Sequence, residues 1–276
     1  MEPVALVALV HAHPEGFSEA SWLGQVFTEQ WQPYVPPGDA ATRRVRAWVV
    51  GGVQDNETLV QSRPVVRDPR ADFVADLLRA PSQTTLAAFA STPIGSSESA
   101  LPPPLAIVRF QRWIGVYAEG ELQSPEADAL RARLRGLLPD FLIRSGGPVS
   151  DRDLVVLSFL AILHGAGELG KPYASPAAIR RGLLALDARL GRPTACNLMV
   201  SDGRSLGVLH RGGSLVSLTP PPPPRPARAI SQPHLRPNAN LLLLDPSPLA
   251  PDTSTRIPDG VFTVHVRQPA VLEREP

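Results

Sequence analysis

The sequence predicts an α+β fold built on antiparallel sheets, and three observations predict it. Strand-like segments fill the first part of the chain, three helix-like segments follow, and strand-like segments return beyond Pro193. Blocks of this kind favour layers of segregated elements over a doubly wound sheet, which needs strand and helix to alternate. The opening run Val4 to Val10 is continuously apolar, as in a strand covered on both faces. Of the 276 residues, 43% are hydrophobic and 19% charged, the balance of a globular chain rather than a disordered or membrane-embedded one.

Taken in order, the first strand is broken by His11-Ala12-His13-Pro14-Glu15-Gly16. A helix is expected next. Ser18 suits its N-cap, Glu19 its positive end, and Trp22, Leu23, Val26 and Phe27 recur at helical spacing. Val45 to Val50 and Leu59 to Val66 read as a strand pair, with Gly51-Gly52 and Asp55-Asn56 as the turn between them. Asp68-Pro69 starts a helix with Phe73, Val74, Leu77 and Leu78 on its apolar face, and Thr84 to Phe89 returns to strand. Leu105 to Tyr117 is rich in β-branched and aromatic residues and reads as two strands or one bent strand, ended by Gly120.

Three helices are expected in the middle of the chain. Ser124-Pro125-Glu126 opens the first, with Leu130, Leu134 and Leu137; Ser150-Asp151-Arg152-Asp153 opens the second, with Leu154, Val155, Phe159 and Leu163. The third runs from Ser175-Pro176 to Leu190 and stops at Gly191. They should share one face of a sheet. Beyond them, Cys196 to Val200, Leu206 to His210 and Ser214 to Leu218 read as a meander turning at Asp202-Gly203. Ala227 to Ser231, Leu241 to Leu244 and Val261 to Val266 are further strand candidates. A proline-rich loop at 219–226 contains Pro220 to Pro224, which is extended polyproline II and cannot enter a ladder.

Charge excludes some functions. The chain carries 27 basic and 26 acidic residues with no long run of one sign, so no nucleic-acid footprint is expected. Lys171 is the one lysine, which suits a GC-rich coding bias better than a phosphate-binding surface. The apolar start lacks a basic flank and is too short to span a bilayer, so no membrane segment is expected. A single Cys196 excludes an internal disulfide and suits a cytoplasmic protein; at the start of an apolar strand it reads as a core thiol.

Several segments together resemble a known family. They are the strand at the very N-terminus, Pro64 to Phe73 leading from strand to helix, Thr85 to Pro93, Arg112 to Leu122, Ser150 to Asp153, and Ile230 to Pro233 followed by Leu241 to Asp245. The best local match is Asn197-Leu198-Met199-Val200-Ser201-Asp202-Gly203-Arg204. In order and local flavour these segments resemble the class II glutamine amidotransferases, the N-terminal-nucleophile hydrolase fold, and particularly the short single-domain group that includes the ergothioneine-pathway γ-glutamyl hydrolase. The resemblance covers most of the chain and implies one domain over 1–276, a four-layer αββα sandwich of two antiparallel sheets between helical layers.

The same resemblance implies that the family's chemistry is missing. Its members attack the glutamine amide with an N-terminal Cys activated by its own α-amino group. The second residue here is Glu2, which also disfavours Met removal, and no Ser, Thr or Cys precedes Ser18. The family's Asn-Gly oxyanion donors match Glu119 and Gly120, and an ionised Glu119 would repel the developing charge; losing one donor already costs about 3 kcal/mol. The preceding family His matches Ala118. The arginine that clamps the substrate carboxylate is best matched by Phe89, so the bidentate cation is absent there. Asp151, matching the acid that binds the substrate's α-amino group, survives with Gly120, although a place at a helix start explains Asp151 equally well.

The expected vestigial pocket is therefore Glu2, Phe89, Glu119, Gly120 and Asp151. The implied role is a non-catalytic binding, regulatory or assembly module without a cofactor, taking a protein partner or a small ligand in the former glutamine pocket. Two alternatives stand beside it. One is an active amidohydrolase or amidotransferase with a non-standard site, for which His11 and His13 could hold a metal with Glu15 or His265; the plainer account of the pair is a strand end reaching solvent. The other is a structural interaction subunit.

Overall fold

The computed structural model describes residues 4–10, 43–54, 57–64, 76–77, 83–93, 107–119, 127–146, 150–191, 196–213, 215–218, 240–244 and 254–265. Twelve strands and four helices can be followed among them. In chain order they are β1 (Val4–Val10), β2 (Arg43–Gln54), β3 (Glu57–Pro64), β4 (Thr84–Pro93), β5 (Val108–Phe110) and β6 (Trp113–Glu119). The helices α1 (Ala127–Arg135), α2 (Asp140–Gly146), α3 (Asp151–Gly165) and α4 (Pro176–Leu190) come next. β7 (Cys196–Ser201), β8 (Ser205–Arg211), β9 (Leu215–Leu218), β10 (Asn240–Leu244), β11 (Ser254–Ile257) and β12 (Gly260–His265) close the order. The α+β class expected from the sequence holds.

The strands form two antiparallel sheets. One has seven strands in the order β11-β9-β10-β1-β4-β2-β3; the other has five, β12-β8-β7-β6-β5. Alternation along each strand sends every second side chain to one face. Leu6, Ala8, Val49, Leu86 and Ala88 of the larger sheet meet Ile114, Val116, Met199, Val208 and Phe262 of the smaller in one buried cluster, so the sheets pack face to face. The opposite residues of the smaller sheet, Trp113, Tyr117, Leu198, Val200 and Leu209, join a second cluster with α1 to α4. Three layers follow: helices, five-stranded sheet, seven-stranded sheet. On the far face of the larger sheet Val7, Leu9, Trp48 and Ala87 are also buried, and a helical segment at Asp76-Leu77 meets that face where Trp48 Nε1 donates to Asp76 Oδ2 at 3.1 Å.

Local sequence explains the helical layer. Ser150 caps α3 by accepting from the Asp153 amide, and Asp153 accepts from the Ser150 amide in return. Ser175 caps α4 with Pro176 at the first turn, and Gly191 ends it at φ 73°. Both helices approach the sheet closely because glycine lies beneath them. A Cβ on Gly115 would sit 2.6 Å from Val156 Cγ1, and one on Gly207 would sit 2.5 Å from Ile179 Cγ2.

The structure departs from expectation in four places. β2 runs straight through Gly51-Gly52, which are not turn residues; Gly51 is small because Ile107 Cδ1 would lie 2.7 Å from a Cβ there. β9 does not continue a meander from β8. Gly212 and Gly213, at φ 73° and 85°, turn the chain out of the five-stranded sheet, and β9 pairs with β10 and β11 in the other one. The first helix of the middle block ends at Arg135, and a separate α2 follows, with Leu142 and Ile143 amides donating to the Pro139 carbonyl. β11 carried no strand signal and exists through its pairing with β9. The helix expected from Ser18, the positions Phe73, Val74 and Leu78, the proline run and the strand expected at Ala227 to Ser231 lie outside the described residues.

Candidate functional site

Of the candidate residues, Phe89, Glu119 and Asp151 are placed by backbone register and helix direction towards one end of the sandwich. In the larger sheet Ala5 pairs with Phe89, which pairs with Trp48, so Phe89 lies one row from the described start of β1. Leu215 and Ile257 are paired at the same end of β9 and β11. In the smaller sheet Glu119 ends β6 opposite Cys196, which faces Arg211, while Ala118, Asn197, His210 and Gly260 form the next row. α3 runs antiparallel to β6, since Val156 lies over Gly115 and Phe159 stacks edge-on with Trp113 at 5.7 Å. Its start, with Asp151, therefore lies towards the Glu119 end. Glu2, Gly120, His11 and His13 lie outside the described residues, as do the side chains of Phe89, Glu119 and His265.

Asp151 is engaged. Ser150 is the N-cap of α3 and Asp151 is the first helical residue. Arg131 of α1 grips it in a two-pronged pair, Nε to Oδ1 at 2.8 Å and Nη2 to Oδ2 at 2.7 Å. Arg131 also donates to Asp128 at 2.8 Å. The side-chain bonds to Asp151 and Asp128 push the arginine's pKa further up, so its guanidinium stays charged. Parallel donation of this kind fixes orientation as well as charge.

The same end holds a chain of polar contacts that joins residues far apart in sequence. Asn197 Nδ2 donates to the Gly212 carbonyl at 3.2 Å, and Asn197 Oδ1 lies 2.6 Å from His210 Nδ1. The Gly212 amide donates to Asp259 Oδ1 at 3.1 Å, and that oxygen lies 3.5 Å from His210 Nε2. His210 is buried whereas Asp259 is largely exposed. A cavity of about 350 Å³ opens beside them, lined by His210, Gly213, Arg256, Ile257, Pro258 and Asp259. That is within the size of small-molecule sites.

Cys196 is a free, buried thiol, and burial pushes its pKa up to about 12. It is the core thiol the sequence suggests, and it has no nucleophilic character at neutral pH. Among the described residues no three His, Cys, Asp or Glu side chains come together as metal ligands. No helix among them is long and apolar enough to cross a membrane.

No family profile matches this chain, and no curated protein sequence does. Solved structures do. A glutamine aminotransferase class-II domain protein from Silicibacter pomeroyi is similar at 14% identity over 95% of this chain and 94% of that one, with a TM-score of 0.47. A predicted glutamine amidotransferase from Pseudomonas aeruginosa gives 14% identity, 96% and 94% coverage and a TM-score of 0.48. The glutamine phosphoribosylpyrophosphate amidotransferase of B. subtilis, complexed with ADP and GMP, gives 8% identity over 95% of this chain and 47% of that one, with a TM-score of 0.46.

Sequence reasoning did not find Arg131, His210 or Asp259. Arg131 lies 20 residues from the carboxylate it holds, and Gly212 lies 47 residues from its Asp259 acceptor. Only the register of the sheets and the docking of α1 on α3 bring such pairs together. Asn197 lay within the best-matching hairpin, but nothing in that motif distinguishes a strand residue from a histidine's partner.

Proposed function

We propose that this protein is a non-catalytic relative of the class II amidotransferases, a four-layer αββα sandwich kept as a binding, regulatory or assembly module for a protein partner in the cytoplasm. The observation that carries this reading is the Arg131–Asp151 pair. Asp151 is the one substrate-binding side chain that matches the family, and both of its oxygens are already held by a guanidinium. A substrate ammonium would have to displace that bidentate partner, losing two charge-assisted bonds to gain one. Glu2, standing where the family has its nucleophilic Cys, supports the same reading from sequence. So does Glu119, which the sequence resemblance sets against the oxyanion-donating Asn and whose ionised carboxylate would repel the developing charge.

Release of ammonia from glutamine and hydrolysis of γ-glutamyl amides test the proposal directly. The purified protein should give no turnover above background. The Glu2→Cys variant should stay inactive too, because Asp151 remains occupied and Phe89 is the residue that the resemblance sets against the clamping arginine. Robust turnover by the unmodified chain would overturn the reading.

A further inference from the structure

Among the described residues, β3 and β11 end the larger sheet and β5 and β12 end the smaller. The outer side of such a strand carries a row of backbone donors and acceptors, a template on which another strand can pair. Proteins blunt these edges by keeping them short, by kinking them with a bulge, or by placing proline or inward charge within them. β5, β11 and β12 are short, at three, four and six residues. β3 has eight residues, and its one proline is the last of them. Its register on β2 runs unbroken from Glu57 to Pro64, so no bulge turns it aside.

The faces of β3 are settled by Val60, which packs against the cluster between the sheets. Alternation then puts Thr58, Val60 and Ser62 on that inner face, none of them charged, and Glu57, Leu59, Gln61 and Arg63 on the far face. Leu59 is 46% exposed there, one of the few large apolar side chains left in water.

The strand is complementary to itself when reversed. Antiparallel pairing about a two-fold axis at Val60 sets Val60 against Val60 of a second copy, Thr58 against Ser62, and Leu59 against Gln61. At each end Glu57 stands opposite Arg63. Inner face continues as inner face, and far face as far face. Pairs of β-branched residues, of hydroxyl residues and of opposite charges are the favourable combinations across antiparallel strands. The two copies of Leu59 become diagonal neighbours and cover one another. A shift of two residues loses the charge pairs, because Glu57 then meets Gln61 in one direction and passes the end of the strand in the other.

We propose that β3 is a dimerisation edge, through which two copies of this chain pair antiparallel about Val60 and join their seven-stranded sheets into one continuous sheet. The occupant is a second copy because the order of acid, hydroxyl, β-branched and basic residues in β3 is the one that its own reversal matches. The two-fold closes the contact on itself, so association stops at two. The proposal uses none of the residues on which the amidotransferase reading stands, so either can fail alone.

The test is the oligomeric state of the full chain by sedimentation equilibrium over a range of concentrations. The unmodified protein should dimerise. Glu57→Arg and Arg63→Glu should each weaken the dimer about tenfold, since each sets like charges against one another twice. An equimolar mixture of the two variants should regain the original affinity, because each brings the sign that the other lacks. Val60→Cys should form an interchain disulfide under mild oxidation, its two copies being directly opposite, whereas Leu59→Cys, only diagonal to itself, should not. The native thiol does not compete, because Cys196 is buried. The exposed Glu57 variant and the Val60 cross-link decide the matter even where Arg63→Glu does not fold. A chain that stays monomeric up to about 100 µM, the range of weak interfaces, would overturn the proposal and leave the edge to a strand of a different protein. A dimer indifferent to both charge reversals, or one that cross-links at position 59 and not at 60, would overturn it as well.

Discussion

Cys196 is buried at the start of β7, and its thiol is held neutral from an ordinary value of 9.0 up to about 12. The thiolate is the reactive species, so alkylation of the folded protein at pH 8 should run about a thousandfold slower than that of the denatured chain. Stability follows the same titration. The unfolded thiol ionises first, so the stability tied to this group is whole below pH 9 and falls as pH rises through about 12. Urea unfolding at intervals of pH should show this alkaline decline, and Cys196→Ala should flatten it. Asp151 and Arg131 make a second case at this scale. Reversing either charge alone should lower Tm, and the double reversal Asp151→Arg with Arg131→Asp should recover most of the loss if the pair is structural.

Helices α3 and α4 rest on features visible in the sequence and on others that were not. Their caps were legible, because Ser150, Asp153, Ser175, Pro176 and Gly191 act through neighbours three or four residues away. Ser150→Ala should cost about 1 kcal/mol in urea unfolding. The glycines beneath the helices carried no local signal. Gly207 reads as an ordinary strand residue until Ile179 and Leu183 are packed on it, yet Gly207→Ala should cost about 2 kcal/mol or more through overpacking. The misreading of Gly51-Gly52 has the same origin. Glycine marks either a turn or a close approach, and only the partner, here Ile107, distinguishes them. For β9, periodicity predicted a strand correctly and said nothing of which sheet receives it.

Across the whole molecule, the class of fold was legible because blocks of strand and helix pattern survive any uncertainty in their ends. The candidate site was legible only in part. Sequence placed Asp151 at a helix start, but its Arg131 partner and the His210 chain depend on contacts between layers. Asp202 shows how one residue can serve such contacts. Its buried carboxylate accepts from the amides of Arg204 and Ser205 in its own turn and from Ala174, ahead of α4, tying the hairpin to the helical layer. Asp202→Ala leaves those amides without their acceptor and should cost about 3 kcal/mol or more in chemical denaturation.

The return of the chain at β12 has an evolutionary consequence. Gly260 pairs with His210, so everything between β8 and β12 is an excursion whose two roots are fastened side by side. Within it β9 and β10 are antiparallel neighbours with Leu218 opposite Leu241, and the five-proline run belongs to the stretch that joins them. The register of Leu218 on Leu241 fixes where the chain must leave β9 and re-enter β10, so related chains should keep this pairing whatever the length of the segment between them.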